Sequence, residues 1–314
     1  MVLRTLVLAF LTALSSACAS SVERAGIKVF YRAAELPENR IRKDVAYKEG
    51  DGADAQKHRL DLFLPPEGTA AGFPAMVFVH GGYWSSGDRT LLVGGKDIYR
   101  NIGRFYASRG IATAVISYRL QPRVALPDQL DDVATAVAWV RAHLEENGGD
   151  PARLFLAGHS AGGQLVTRLA LDRELQQRAG LPGGSVCGVV AIDGAGYDVT
   201  DEMTYEIGGT RSIYKSKFGH GTEVWEKYGN TLALITKDPP PPAFLVLLAG
   251  REHPSLIRQS QLLQNALHRA GGKVSGALVP RHIHSSMALA MSNPKNLAAK
   301  RTLQFIAETP CTKP

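Results

Sequence analysis

Residues 153–171 read RLFLAGHSAGGQLVTRLAL, a stretch that combines an apolar run, a glycine-bounded serine and a helical pattern. The letters GHSAGG at 158–163 have the form G-x-S-x-G, and the apolar residues after them recur with helical spacing. In this order the pattern predicts a nucleophile elbow, a tight strand-to-helix turn that exposes the hydroxyl of Ser160 above a sheet. Gly158 and Gly162 are expected there because the turn leaves no room for a Cβ. The alternative interpretation is a glycine-serine loop without chemistry.

Apolar runs alternate with helical patterns along the rest of the chain, which predicts an α/β fold with a mostly parallel central sheet and helices on both faces. Strands are predicted at 44–50, 59–64, 75–79, 111–116, 153–157, 186–192, 243–249 and 273–279, the first two as an antiparallel hairpin. Helices are predicted at 97–109, 128–146, 164–171, 255–270 and 295–308. Residues 198–238 are aromatic and irregular, as a small lid or insert is. The 314 residues, 45% of them apolar, fit one domain.

Residues 1–19 are predicted to be a signal peptide, which leaves residues 20–314 as the folded domain. Arg4 supplies the positive region and residues 6–14 the apolar stretch. The small residues that follow contain an A-x-A cleavage site, and they also resemble a lipobox whose Cys18 would carry a lipid anchor. We expect export to the periplasm or cell envelope, and both a soluble and a lipid-anchored form stay open.

The charge pattern predicts a solvated basic surface and no nucleic-acid partner. The net charge of +7 comes from scattered Lys and Arg residues, without the basic stripe of a nucleic-acid-binding surface. Outside the signal no apolar run reaches the roughly 18 residues of a membrane-spanning helix. Cys187 and Cys311 could pair in an oxidising compartment, but the sequence leaves their pairing open, and it leaves the oligomeric state open too.

The third predicted strand ends in HGGYW at 80–84, a candidate oxyanion loop. A serine nucleophile needs donors for the negative charge that develops on the substrate oxygen. The candidate donors are the backbone amides of Gly81, Gly82 and Tyr83, together with that of Ala161 after the nucleophile. A plain Gly-Gly turn is the alternative.

Two histidines follow the last predicted strand, where the general base is expected. We favour His284 over His282 as the group that accepts the serine proton. The H-x-H pattern also suits metal chelation, but no further Asp, His or Cys residues have ligand spacing, so no metal is predicted.

Glu252 is the candidate for the acid that orients the base, because it lies in the loop after strand 243–249. The other carboxylates considered are Asp198, which follows a different strand, and Asp238, which precedes this one. A solvated loop carboxylate is the alternative interpretation of Glu252.

Together these motifs resemble the α/β-hydrolase fold, and more narrowly the small carboxylesterases and kynurenine formamidases (arylformamidases). The resemblance covers about residues 40–309 and is carried by HGGYW, by YRL at 118–120, by the elbow and by Glu252 with the Gln-Ser pair at 259–260. It implies a carboxylesterase that forms an acyl-enzyme through a catalytic triad and needs no cofactor. Arylformamidase activity and a non-catalytic binding protein are the alternatives.

The substrate implied by the resemblance is a small ester or formamide. Tyr83, Trp84, His159 and Tyr197 are predicted to line the pocket around it, and any of them could instead serve packing.

Overall fold

A computed structural model of the chain describes residues 27, 29–219 and 221–311. The predicted signal peptide at 1–19, with Cys18, lies outside the described residues. Within them, no helix combines the length and the apolar character needed to cross a membrane.

The described part of the chain is built around one eight-stranded sheet. Its strands are β1 (Ile41–Ala46), β2 (Arg59–Phe63), β3 (Phe73–Val79), β4 (Ala112–Ile116), β5 (Gly149–His159), β6 (Val186–Ile192), β7 (Ala243–Ala249) and β8 (Val274–Val279). Their order across the sheet is β1-β2-β4-β3-β5-β6-β7-β8. Strand β2 runs antiparallel to both of its neighbours, and all other neighbours are parallel. The predicted mostly parallel sheet and its first hairpin are confirmed.

The inner strands are apolar throughout because helices cover both of their faces. Every residue of β3, β4 and β6 is buried. Strand β8 lies at the edge of the sheet and is mostly exposed or half-buried, and its Leu278 is 58% exposed. The inner strands are therefore the most deeply buried part of the sheet.

Helices pack on both faces of the sheet. They are α1 (Ile98–Ala107), α2 (Leu126–Ala142), α3 (Ala161–Leu171), α4 (Arg173–Arg178), α5 (Glu202–Gly208), α6 (Arg211–Phe218), α7 (Glu223–Tyr228), α8 (Pro254–Arg269), α9 (Met287–Ala290) and α10 (Leu297–Glu308). Apolar residues of α2, α3 and α8 belong to the core on one face. Those of α1, α9 and α10 belong to the core on the other face.

Several segments differ from their sequence-based predictions: the helix predicted at 128–146 is α2 at Leu126–Ala142, and the strand predicted at 153–157 is β5 at Gly149–His159. The first strand spans Ile41–Ala46 instead of 44–50, because its register with β2 is interrupted near Asp44, whose φ is 58°. The stretch 198–238 contains the three short helices α5 to α7 rather than irregular chain. Gly209 and Gly219, both at positive φ, end two of them within two turns, which is why no long helical period shows in the sequence.

Cys187 and Cys311 form a disulfide, with their Cα atoms 5.1 Å apart. Cys187 lies in β6, and Cys311 follows α10. The bond therefore ties the end of the described chain to a central strand, and it settles the pairing that the sequence left open.

Candidate active site

Ser160 lies in a strained turn between β5 and α3. Its backbone has φ 56° and ψ −122°, a region that non-glycine residues rarely occupy. A Cβ on Gly158 would collide with the backbone of Gly162, and a Cβ on Gly162 would collide with the carbonyl of Val79. The close approach expected for the two glycines is present, and it holds the serine above the end of the sheet.

His284 faces the hydroxyl of Ser160 from the loop after β8. Its Nε2 lies 2.9 Å from Oγ of Ser160, within hydrogen-bond distance. The side chain of His284 is 27% exposed, so solvent and ligand can reach this pair. His282 is fully buried and uses its two ring nitrogens on Ser286 and Asn296. Of the two candidate bases, the structure therefore brings only His284 to the serine.

Glu252, in the loop after β7, lies behind the imidazole. Its Oε2 is 3.4 Å from Nδ1 of His284, and its Oε1 accepts a 2.6 Å hydrogen bond from the amide of His253. The structure places neither of the other candidate acids here. Asp198 accepts hydrogen bonds from its neighbour Thr200, and Asp238 is exposed.

A second carboxyl, that of Asp193, lies at the same imidazole and was not considered from the sequence. Asp193 directly follows β6, is fully buried, and has Oδ2 3.7 Å from Nδ1 of His284. The sequence contained a signal for Asp193, because an acid at the carboxyl end of a buried parallel strand lies at the edge of the sheet where sites form. Only the later Asp198 was weighed after that strand.

The two carboxyls have opposite pKa shifts. Burial, followed by the charge of Glu252, raises the pKa of Asp193 well above its ordinary value. Burial also raises the pKa of Glu252, but the hydrogen bond and charge of His284 outweigh it, and the net pKa is lowered. The two shifts favour a proton on Asp193 and the ionised form of Glu252.

The oxyanion loop is held by its carbonyl groups. Nδ1 of His80 donates to the carbonyl of Gly81 at 2.7 Å. The carbonyl of Gly82 accepts from the amides of Ser85 and Ser86 and from the Ser86 hydroxyl, at 2.9 to 3.0 Å. The N–H of a trans peptide points away from its C=O. The Gly82 N–H belongs to the same peptide as the Gly81 carbonyl, and the Tyr83 N–H to the same peptide as the Gly82 carbonyl. Both N–H groups therefore point away from the groups that bind these carbonyls.

Three of the four predicted amides are available as oxyanion donors. Within the described residues, the amides of Gly82 and Tyr83 have no hydrogen-bond partner. Ala161 is the first residue of α3, so its amide is one of the free N–H groups of a helix N-terminus. The Gly81 amide instead faces the hydroxyl of Tyr99. Positive φ values of 54° at Tyr83 and 59° at Trp84 show that the loop stores backbone strain at this place.

Solved structures with this architecture include esterases. Esterase B from Lactobacillus Rhamnosis superposes with a TM-score of 0.74 at 23% identity, over 98% of this chain and 95% of its own. Its form inhibited by a C4-C4 SN3 tributyrin phosphonate superposes with a TM-score of 0.70 at 22% identity, over 91% and 89%. The chain has the α/β-hydrolase fold.

Sequence comparisons agree with this fold. The family model BD-FAE matches residues 60–205 of this chain, the part that contains the candidate oxyanion loop and the elbow. Esterase LipC of Mycobacterium tuberculosis is 32% identical over 62% of this chain and 48% of its own. Isoprenylcysteine alpha-carbonyl methylesterase ICME of Arabidopsis thaliana is 27% identical over 79% and 57%. The chain thus spans only about half the length of these curated relatives.

The predicted substrate-lining residues differ in exposure. Tyr83 flanks the site, and burial together with the nearby charge of Glu252 raises its pKa to about 12. Trp84 is 1% exposed and packs its ring 5.0 Å from that of Phe218, while Tyr197 is fully buried. The structure records a packing role for the last two, and their contact with a substrate stays a prediction.

His159 packs beside His284, and its environment favours the neutral imidazole. Its Nε2 lies 3.0 Å from the carbonyl of His284, and the two rings are 4.8 Å apart. Burial, helped by the charge of His284, lowers its pKa to about 3. It therefore supports the loop that carries the base without taking a proton itself.

His159, Asp193 and His284 bring potential metal-ligand atoms to within 4.8 Å of one another. His284 uses Nε2 for Ser160, and its Nδ1 faces the two carboxyls. A cation at this place would compete with Glu252 for the imidazole, so we assign the cluster to the serine site.

Proposed function

We propose that this protein is a carboxylesterase that cleaves esters through an acyl-enzyme on Ser160. The observation that carries the proposal is the 2.9 Å contact between Oγ of Ser160 and Nε2 of His284 at a strained elbow. Carboxylates behind the imidazole and free amides in front of the serine complete the parts that acyl transfer needs. The esterase names of the relatives support the same chemistry.

In the first half of the reaction, His284 accepts the proton of Ser160 as the oxygen attacks the ester carbonyl. The imidazolium then donates through Nδ1 to Glu252, which stabilises the charged ring and fixes its orientation. The amides of Gly82, Tyr83 and Ala161 donate to the oxyanion of the tetrahedral intermediate. Each such donor is typically worth about 3–4 kcal/mol of transition-state stabilisation.

The second half releases the acyl group. His284 gives its proton to the leaving alkoxide, the alcohol departs, and the acyl group remains on Ser160. Water then loses a proton to Nε2 of His284 as it attacks the acyl carbonyl, and the carboxylic acid leaves when Ser160 takes that proton back.

A substrate panel tests the proposal. The panel contains p-nitrophenyl acetate, longer acyl esters, aryl esters and N-formylkynurenine, assayed with the wild type and Ser160→Ala. We expect ester hydrolysis that Ser160→Ala abolishes, with Ser216→Ala, on the exposed face of α6, as the matched control. Retained ester turnover in Ser160→Ala would overturn the proposal. A higher kcat/KM for the formamide would assign the arylformamidase alternative.

A fluorophosphonate probe separates an inactive binding protein from an enzyme with an untested substrate. We expect the probe to label the folded wild type at Ser160 and to leave Ser160→Ala unlabelled. An unlabelled wild type would identify a non-catalytic α/β-hydrolase.

We also propose that the protein acts outside the cytoplasm. The support is the signal-like sequence at 1–19 and the Cys187–Cys311 disulfide, a bond that persists in oxidising compartments. Fractionation of cells that express the wild type or Cys18→Ser tests it. Loss of membrane association in the variant would assign the lipid anchor, release of both forms by osmotic shock would assign a soluble exported protein, and recovery in the cytoplasm would contradict export.

A further inference from the structure

The acid side of the site holds two buried carboxyls where the mechanism uses one. The side chains of Asp193 and Glu252 are 0% and 2% exposed. Both face Nδ1 of His284, at 3.7 and 3.4 Å, so the two carboxyls lie at the same nitrogen atom. Glu252 alone satisfies the mechanism, so the second carboxyl needs an explanation.

Asp193 is held by two hydrogen bonds to the backbone of β7. Its amide donates to the carbonyl of Leu247 at 2.8 Å, and its Oδ1 accepts from the amide of Ala249 at 2.7 Å. These contacts use one carboxyl oxygen fully and leave Oδ2 pointing at the other two side chains. The position of Asp193 beside Glu252 is therefore fixed by β7.

The charges around the pair allow only one negative charge. The titratable groups that face Asp193 are Glu252, His284, His159 and Tyr197, from four different places in the fold. Within the described residues neither carboxyl has a lysine or arginine partner. Two buried carboxylates that face the same imidazole nitrogen repel each other, which favours a proton on one of them. The opposite pKa shifts of the two groups are consistent with the proton on Asp193.

We propose that Asp193 and Glu252 form one acid unit with a single proton, in which the protonated Asp193 is a positioning residue that donates through Oδ2 to Glu252 and holds it against His284. The kinetic part of this inference rests on the esterase function proposed above. Asp193 keeps its proton throughout the cycle, because the proton of Ser160 goes only to Nε2 of His284.

The conservative and the truncating substitutions of Asp193 must then differ. In Asp193→Asn, an amide N–H replaces the carboxyl O–H as the donor to Glu252, and the side-chain oxygen can still accept from Ala249. We expect kcat within about 3-fold of the wild type. In Asp193→Ala the donor is lost, and kcat falls by about 10- to 100-fold, as for one hydrogen bond to a charged group, with KM unchanged. Asp198→Asn is the matched control in the loop after the same strand.

Two kinetic results would overturn the proposal. If Asp193→Asn lost as much kcat as Asp193→Ala, Asp193 would act as a carboxylate. If neither variant changed kcat, it would be a spectator. A misfolded Asp193→Ala, detected by circular dichroism, leaves the Asn variant and the measurements below to decide.

Removal of Glu252 tests whether the pair acts as a unit. In Glu252→Gln the repulsion disappears, Asp193 ionises, and it partly replaces the missing acid at His284. Adding Asp193→Asn to this variant should therefore cost at least about 10-fold more in kcat than the same change costs in the wild type, since the two sites are in contact. Equal costs in both backgrounds would mean that the two carboxyls act independently.

The proton itself can be measured without any substrate. The wild type should show the infrared C=O stretching band of a buried protonated carboxylic acid, and Asp193→Asn should lack it while Asp198→Asn keeps it. The wild type should also release one proton more than Asp193→Asn on unfolding near pH 6. A band that persists in Asp193→Asn would overturn the inference, and an active-site failure in the ester assay would leave these two measurements unaffected.

Discussion

Nδ1 of His80 donates to the carbonyl oxygen of the adjacent Gly81 across 2.7 Å, and this contact turns the following peptide so that its N–H faces away. Gly82 is fixed in the same way by Ser86. The hydrogen bonds to the carbonyl oxygens of Gly81 and Gly82 thus orient the N–H groups of the same two peptides, which are the proposed oxyanion donors.

Ser86→Ala should lower kcat by about 3- to 10-fold with little change in KM, because it removes one of the bonds that hold the Gly82 carbonyl and loosens the adjacent donor. Ester hydrolysis under saturating and limiting substrate separates the two constants. Ser85→Ala is the control, since it keeps the amide that bonds to Gly82. An unchanged kcat in Ser86→Ala would show that the loop does not depend on this anchor.

His284→Gln and His282→Gln should give different phenotypes. Without the base, His284→Gln should lose about 10⁴-fold or more in kcat. His282→Gln should mainly lower the free energy of unfolding, because His282 is fully buried between Ser286 and Asn296. Kinetics and urea unfolding of both variants check this, and a larger kcat loss in the second would reverse the assignment.

Gly162→Ala should fold poorly or lose activity. Its Cβ would meet the carbonyls of Val79 and His80, which are backbone atoms at the sheet centre and cannot move aside. A destabilisation of about 1–3 kcal/mol is expected from such overpacking. Gly183→Ala is the matched control, because nothing lies within 4 Å of its added Cβ and its φ is not in the left-handed range. Normal stability and activity of Gly162→Ala would contradict the close approach.

Stability should fall as the pH drops from about 6.5 toward 4. Burial lowers the pKa of His80 to about 4 and, with the charge of His284, that of His159 to about 3. Between these values and the ordinary 6.5 the unfolded chain binds more protons than the folded one, so protonation favours unfolding. Each histidine contributes about 1.4 kcal/mol per pH unit in this window. Urea unfolding at several pH values measures the slope, and a flat profile would contradict neutral buried histidines.

The order of strands and candidate site residues along the chain could be predicted well, because strand, turn and helix signals are local. The 186–192 and 243–249 strands match β6 and β7 residue for residue, since continuous apolar runs mark strands that are buried on both faces. Ser160 and Glu252 could be predicted as candidate site residues in the same way, because each lies in the turn or loop directly after a predicted strand.

What the sequence could not give depends on contacts between distant loops. The choice between His282 and His284 is set by which ring nitrogen reaches Ser160, and two residues of spacing do not encode that. Asp193 was missed because its role follows from the neighbouring ends of β6, β7 and β8 in space. The short helices within 198–238 are stabilised by caps and packing rather than by a long amphipathic period.

The position of β8 at the edge of the sheet gives the molecule a weak point in its catalytic assembly. Ser160 and the oxyanion loop extend from β5 and β3 at the centre, whereas the base follows a strand that pairs with β7 alone and is largely exposed. Edge segments of this kind open at lower free energy than the whole fold. Mild heating should therefore separate His284 from Ser160 and stop catalysis. Most of the sheet should still protect its amides from hydrogen exchange at that temperature, so activity should be lost before the fold.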